Sequence, residues 1–215
     1  MSYQTHELEL GFNQIYLLEF DENFIADHHL DTLTKNELIR FEQFNNVKRQ
    51  KEFVATRLLF HKILGYQEIK YEEHGAPYIS DHDYISISHA QNLVGFARNP
   101  NYPVGFDIEL IHPKVLALHE KFLNQSEQNT FDLTNTEELI ACWSMKETMY
   151  KMAGRKEILF KEELLLSRNK DMNIQGKICN KGEEIFVDLQ TTLFKNFILS
   201  TNSSAPRYVK RNTSV

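Results

Sequence analysis

Two short stretches carry side chains that could do chemistry together. VGFDIE, residues 104–109, places Asp107 and Glu109 two positions apart. WSMKETMYK, residues 143–151, sets Lys146, Glu147 and Lys151 behind Trp143. In an extended strand alternate side chains share a face, so Asp107 and Glu109 point the same way, about 6.6 Å apart along the chain. On a helix, Trp143, Glu147 and Lys151 recur every fourth residue and lie along one face. Converging carboxylates suit a hard cation such as Mg²⁺, which takes one or two of them together with phosphate oxygens and water. An ammonium beside such a cation would offset charge on a departing phosphate. Plainer readings exist for each stretch alone. The first could be a half-buried strand with a solvated acidic face. The second could be a surface helix whose Glu147–Lys151 pair adds about 0.2–0.5 kcal/mol. Forty residues separate Asp107 from Glu147, so spacing alone proves no contact.

The elements that would position them can be read from hydrophobic periodicity. NQIYLLEF (13–20) predicts a strand, and TKNELIRFEQF (34–44) a helix with a Thr34/Glu37 capping box. Residues 47–64 carry apolar positions at three- and four-residue steps and stop at Gly65, a second helix. HGAPYIS (74–80) is a turn into an extended segment. YISISHA (84–90) alternates isoleucine with serine, the period of a strand. NLVGFAR (92–98) and VGFDIEL (104–110) predict two more strands, joined as a hairpin through Asn99-Pro100-Asn101. Residues 115–130 read as helix, and 136–153 as a strong helix ended by Gly154. NIQGKICN (173–180), EEIFVDLQ (183–190) and KNFILST (195–201) read as three strands, and the last dozen residues as a loose tail. The order is helix-then-strands twice over, an α+β pattern with two similar halves, residues 1–105 and 106–215.

Composition narrows the classes. The 215 residues are enough for one large or two small cores. With 24 Lys and Arg against 30 Asp and Glu, the net charge of −6 argues against general nucleic-acid or membrane-surface binding. Cys142 and Cys179 stand alone, outside any metal spacing, as expected of a reducing cytoplasm. No leader pattern and no run of 18 apolar residues is present. No G-x-S-x-G elbow points to a serine hydrolase.

VGFDIE followed after about forty residues by WSMKETMYK resembles the signature of the 4′-phosphopantetheinyl transferases, (V/I)G(V/I)D then (F/W)SxKE(A/S)xxK. Gly105, Asp107, Trp143, Ser144, Lys146, Glu147 and Lys151 fit it, and Gly154 matches a glycine common beyond it. Phe106 stands where Val or Ile is usual. Upstream blocks are similar to the longer, surfactin-synthetase-type branch. TKNELIRFEQF resembles its first helix and EFVATRLLFHK its second; HGAPYI is similar to its GKPxL turn, and SISHA to its (N/S)ISHS block. Together the resemblance spans about residues 33–160.

The resemblance implies a fold, a site and a reaction. The fold is a pseudo-dimer of two α+β halves, acting as a monomer. Coenzyme A, a co-substrate, would lie between the halves against Arg40, Arg57, Gly75, Pro77, Ser88, His89, Lys146 and Lys151. Ala76 replaces the usual Lys, which removes one contact to the 3′-phosphate. Mg²⁺ or Mn²⁺ would be held by Asp107, Glu109 and Glu147. With Asp107, Glu147 and Lys151 as catalytic residues, phosphopantetheine would pass to a serine of an apo acyl or peptidyl carrier protein and release 3′,5′-ADP. The competing readings are a degenerate coenzyme A or carrier-binding module and a metal-dependent pyrophosphate hydrolase.

Overall fold

The computed structural model describes residues 2–79, 83–154, 157–180 and 182–210. In chain order come β1 (Tyr3–Leu10), β2 (Asn13–Phe20), α1 (Lys35–Phe41), α2 (Val47–Leu64), β3 (Lys70–Tyr71), β4 (Pro77–Tyr78), β5 (Tyr84–Ala90) and β6 (Leu93–Asn99). Then follow β7 (Phe106–Leu110), α3 (His119–Phe122), α4 (Gln125–Gln128), α5 (Thr136–Met152), β8 (Leu164–Arg168), β9 (Ile174–Asn180), β10 (Glu183–Phe194), β11 (Phe197–Asn202) and β12 (Arg207–Lys210). The α+β class holds.

Two antiparallel sheets organise these elements. The first runs β1-β2-β6-β5, and the second β7-β11-β10-β9-β8 with β12 on β10. A long helix packs on each: Phe53, Leu59 and Phe60 of α2 join Leu18, Val94 and Phe96 in one core, while Leu139, Met145 and Met149 of α5 join Leu164, Ile178 and Val187 in another. A third cluster, Ile15, Leu17, Leu93, Phe106, Ile108 and Leu199, joins the two sheets. Gly95 belongs to that seam, since a Cβ there would lie 2.6 Å from Leu17.

The junction explains the serines of YISISHA. Ile85 and Ile87 turn to the first core, and Ser86 and Ser88 are buried toward β7. Their hydroxyls accept from Phe106 N at 3.0 Å and Ile108 N at 3.1 Å. On its other side β7 is paired with β11. Serines of β5 thus satisfy main-chain donors of β7 that would otherwise be buried and unpaired.

Three expectations need correction. Residues 92–98 and 104–110 do not form a hairpin: β6 pairs with β2 and β5, and β7 pairs with β11. Asn99 closes the turn by accepting from Asn101 N and Tyr102 N, and Pro100 and Pro103 bring no N–H for a ladder. Residues 115–130 are not one helix. They break into a 3₁₀ segment (Pro113–Ala117), α3 and α4, because Asn124 starts a new helix with a capping box to Glu127. The tail is not wholly loose: Arg207–Lys210 pairs with β10, while residues 211–215 lie outside the described residues.

Candidate functional site

Gly105 allows α5 to reach β7. A Cβ at Gly105 would sit 2.1 Å from the carbonyl oxygen of Thr148, so only glycine lets the helix backbone lie against the strand. Phe106 and Ile108 face the seam, and Asp107 and Glu109 face the helix. The two motifs therefore meet.

Asp107 is held on every side. Its Oδ1 accepts from Lys151 Nζ at 2.7 Å and Ser88 Oγ at 2.9 Å, and its Oδ2 from Ser144 Oγ at 2.9 Å. Behind Ser144 stand Ser200 and Thr148, fully buried and hydrogen-bonded to one another. Glu109 Oε1 accepts from Trp143 Nε1 at 2.8 Å. Trp143 is stacked on Phe160 and met edge-on by Phe122, so the indole is fixed. Burial, then the charge of Asp107, pushes the Glu109 carboxyl up to about 7; Glu147 adds to the rise, and the Trp143 bond and Lys151 oppose it. Glu147 is half-buried on the same helix and near enough for this effect.

These three carboxylates suit a divalent cation. They are oxygen donors, as hard cations require. Their mutual repulsion, visible at Glu109, is what a cation would relieve. Among the described residues, no three His, Cys, Asp or Glu side chains already surround one point.

Two cavities flank the cluster. One, of about 450 Å³, is lined by Glu72, Ala76, Pro77, Pro103, Val104 and Lys151. The other, of about 650 Å³, is apolar, with Glu109 and Trp143 at its inner end and Lys114 and Lys121 among its walls.

The remaining expected residues divide. Gly75 has a positive φ of 82° in the turn between β3 and β4, and Pro77 pairs with Tyr71. Arg40 is exposed and its guanidinium lies 3.8 Å from the Tyr71 ring centroid, so α1 is tied to this hairpin. Ser88 braces Asp107 and Lys151. His89 is bound through Nε2 to Arg49, with Nδ1 3.4 Å from Glu52. Burial lowers its pKa, Glu52 raises it, and Arg49, Lys151 and Lys48 lower it further. The imidazole is therefore neutral at pH 7, with Nε2 accepting from Arg49 and the proton on Nδ1.

Two of the expected residues are engaged inside the protein. Arg57 is 2% exposed and committed to Glu37 at 3.0 Å and to the Tyr71 hydroxyl at 2.8 Å. Lys146 is fully buried, and its three N–H bonds go to Glu127 at 2.9 Å, Phe122 O and Phe160 O. Lys146 therefore has no N–H left for a phosphate, and the Arg57 guanidinium is buried in its ion pair. Arg49, the His89 partner, was not singled out from the sequence; the basic run Lys48-Arg49-Gln50-Lys51 opening α2 was its signal.

The family model described as the 4′-phosphopantetheinyl transferase superfamily matches residues 103–201, which hold both motifs. Over these residues the chain is similar to the 4′-phosphopantetheinyl transferase superfamily. It is similar to the 4′-phosphopantetheinyl transferase gsp of Aneurinibacillus migulanus, with 24% identity over 187 residues. That alignment covers 81% of this chain and 76% of that protein. The protein is thus an enzyme of the phosphopantetheinyl transferase kind. In this transferase no described helix is long and apolar enough to cross a membrane.

Proposed function

We infer that this transferase moves 4′-phosphopantetheine from coenzyme A to a serine of an apo acyl or peptidyl carrier protein and releases 3′,5′-ADP. The observation that carries this reading is the meeting of Asp107, Glu109 and Lys151 between two halves, at the edge of a cleft large enough for a nucleotide.

The nucleotide part of coenzyme A would enter the cleft of about 450 Å³, with Ala76 and Pro77 on one side and Lys151 on the other. Arg49, beside His89, supplies cationic charge that Arg57 and Lys146 do not. It stands in for the lysine absent at Ala76. Asp107, Glu109 and Glu147 would hold Mg²⁺ or Mn²⁺. That cation, when bound, orients and neutralises pyrophosphate oxygens.

The protein's own side chains do the rest. Ser88 and Ser144 fix the Asp107 carboxylate. Trp143 fixes Glu109 and closes the inner end of the apolar cavity. Glu147 accepts the proton of the attacking serine. Lys151 stabilises the departing 3′,5′-ADP. The carrier serine approaches from the apolar cavity, whose Lys114 and Lys121 suit an acidic partner. The two halves, 1–105 and 106–215, would act as one cytoplasmic monomer.

The test is release of 3′,5′-ADP, followed by chromatography, with coenzyme A, Mg²⁺ and apo carrier protein. Release must depend on the carrier. Release without carrier would replace this reading by a hydrolase.

A further inference from the structure

Lys151 uses all of its hydrogen-bonding capacity inside the protein. An ammonium has three donors. They go to Asp107 Oδ1 at 2.7 Å, Ser88 Oγ at 2.9 Å and Phe106 O at 3.0 Å. The Lys151 side chain is 11% exposed and that of Asp107 5%. In this state the cation held by Asp107 is the lysine itself.

We propose that Lys151 is a resident cation that keeps the divalent metal out until coenzyme A arrives. The inference rests on the proposed function. A metal on Asp107 would share a nearly dry carboxylate with Lys151, and two cations side by side with little screening repel strongly. The repulsion ends when Lys151 leaves Asp107. Departure requires another anion, since an unpaired buried ammonium is costly. The cleft provides a place for one: Lys151 lines it, and the flexible four-carbon stem lets Nζ swing from Asp107 toward it. A coenzyme pyrophosphate there would draw Lys151 off Asp107, free an oxygen for the metal, and meet both cations. Metal and coenzyme affinities are then linked reciprocally through one side chain. The bare enzyme is a poor metal site, and productive loading is coenzyme first or both together.

The test reads Mn²⁺ binding by the electron paramagnetic resonance signal of free Mn²⁺. The full chain is used without coenzyme, as wild type, Lys151→Met and Lys151→Arg, with thermal melts to verify folding. The expected result is at least tenfold tighter Mn²⁺ binding by Lys151→Met, while Lys151→Arg stays as weak as wild type. In wild type, coenzyme A should tighten Mn²⁺ binding beyond a protein-free control, a measurement that needs no variant. Equal or weaker binding by Lys151→Met, equal tightening by Lys151→Arg, or no effect of coenzyme A on wild type would each overturn the proposal while leaving the metal site intact. No Mn²⁺ binding by any form, with or without coenzyme A, would overturn the metal reading as well.

Discussion

Lys146 and Glu127 form an ion pair at 2.9 Å in which both side chains are almost wholly buried, at 0% and 1% exposure. Glu127 also accepts from Leu166 N and closes the α4 capping box, while Lys146 reaches Phe122 O and Phe160 O. One lysine of α5 thereby ties together β8, α4 and the segments that carry the Trp143 ring partners. Burial lowers the Lys146 pKa and Glu127 opposes the fall.

Lys146→Met should therefore act on stability. It leaves Glu127 charged without its partner, a loss of about 3–5 kcal/mol. Denaturant unfolding should show this, with the KM for coenzyme A little changed in the folded fraction. A raised KM at unchanged stability would return Lys146 to the phosphate site.

Gly105→Ala should separate helix from strand. The new methyl meets the Thr148 carbonyl at 2.1 Å, and backbone cannot yield as a flexible side chain does. A cost of about 1–3 kcal/mol follows from overpacking. Activity should fall further than stability, because α5 carries Glu147 and Lys151. Wild-type turnover in the alanine variant would show that the close approach is not needed.

Trp143→Phe keeps an aromatic ring against Phe160 but deletes the Nε1–H bond to Glu109. Hydrogen bonds to charged groups contribute about 1.5–3 kcal/mol, so kcat/KM should drop roughly ten- to hundredfold with the fold retained. Steady-state kinetics beside a thermal melt measures both.

The Arg57–Glu37–His61 cluster predicts a pH dependence. Burial raises the Glu37 pKa, but the His61 hydrogen bond, the Thr34 N–H and the charges of His61 and Arg57 outweigh it, and the net shift is downward from 4.5. A depressed folded pKa stabilises above the unfolded value and is lost as pH falls through the folded one. Wild type should lose this contribution below about pH 4.5. Glu37→Gln should be less stable at pH 7 and show a flatter acid limb in urea titrations at several pH values. A parallel acid limb would remove Glu37 from the account.

Much of the site was legible because its parts are local in type and regular in spacing. Asp107 and Glu109 share a face by strand parity, and Trp143, Glu147 and Lys151 share one by helix periodicity. What spacing could not give was the partner of each side chain. Lys146 and Lys151 look alike in sequence, yet one is spent on Glu127 and the other on Asp107 beside the cleft. Arg57 lies in a recognisable block and is buried against Glu37, while Arg49 stands outside the block and reaches His89. β1 and β8 were not read from the sequence, since β1 is half exposed and β8 is only five residues long. The false hairpin came from reading a turn as a pairing; the strands on either side of Asn99–Gly105 belong to different sheets.

The most direct test of the central claim is the intact mass of an apo acyl carrier protein after incubation with the enzyme, coenzyme A and Mg²⁺, run beside a chelator control and Glu147→Gln. The carrier should gain the mass of one phosphopantetheine arm, the chelator should abolish the gain, and Glu147→Gln should nearly do so. An unchanged mass across acyl and peptidyl carriers, with coenzyme A still bound by calorimetry, would contradict it and leave a coenzyme-binding protein.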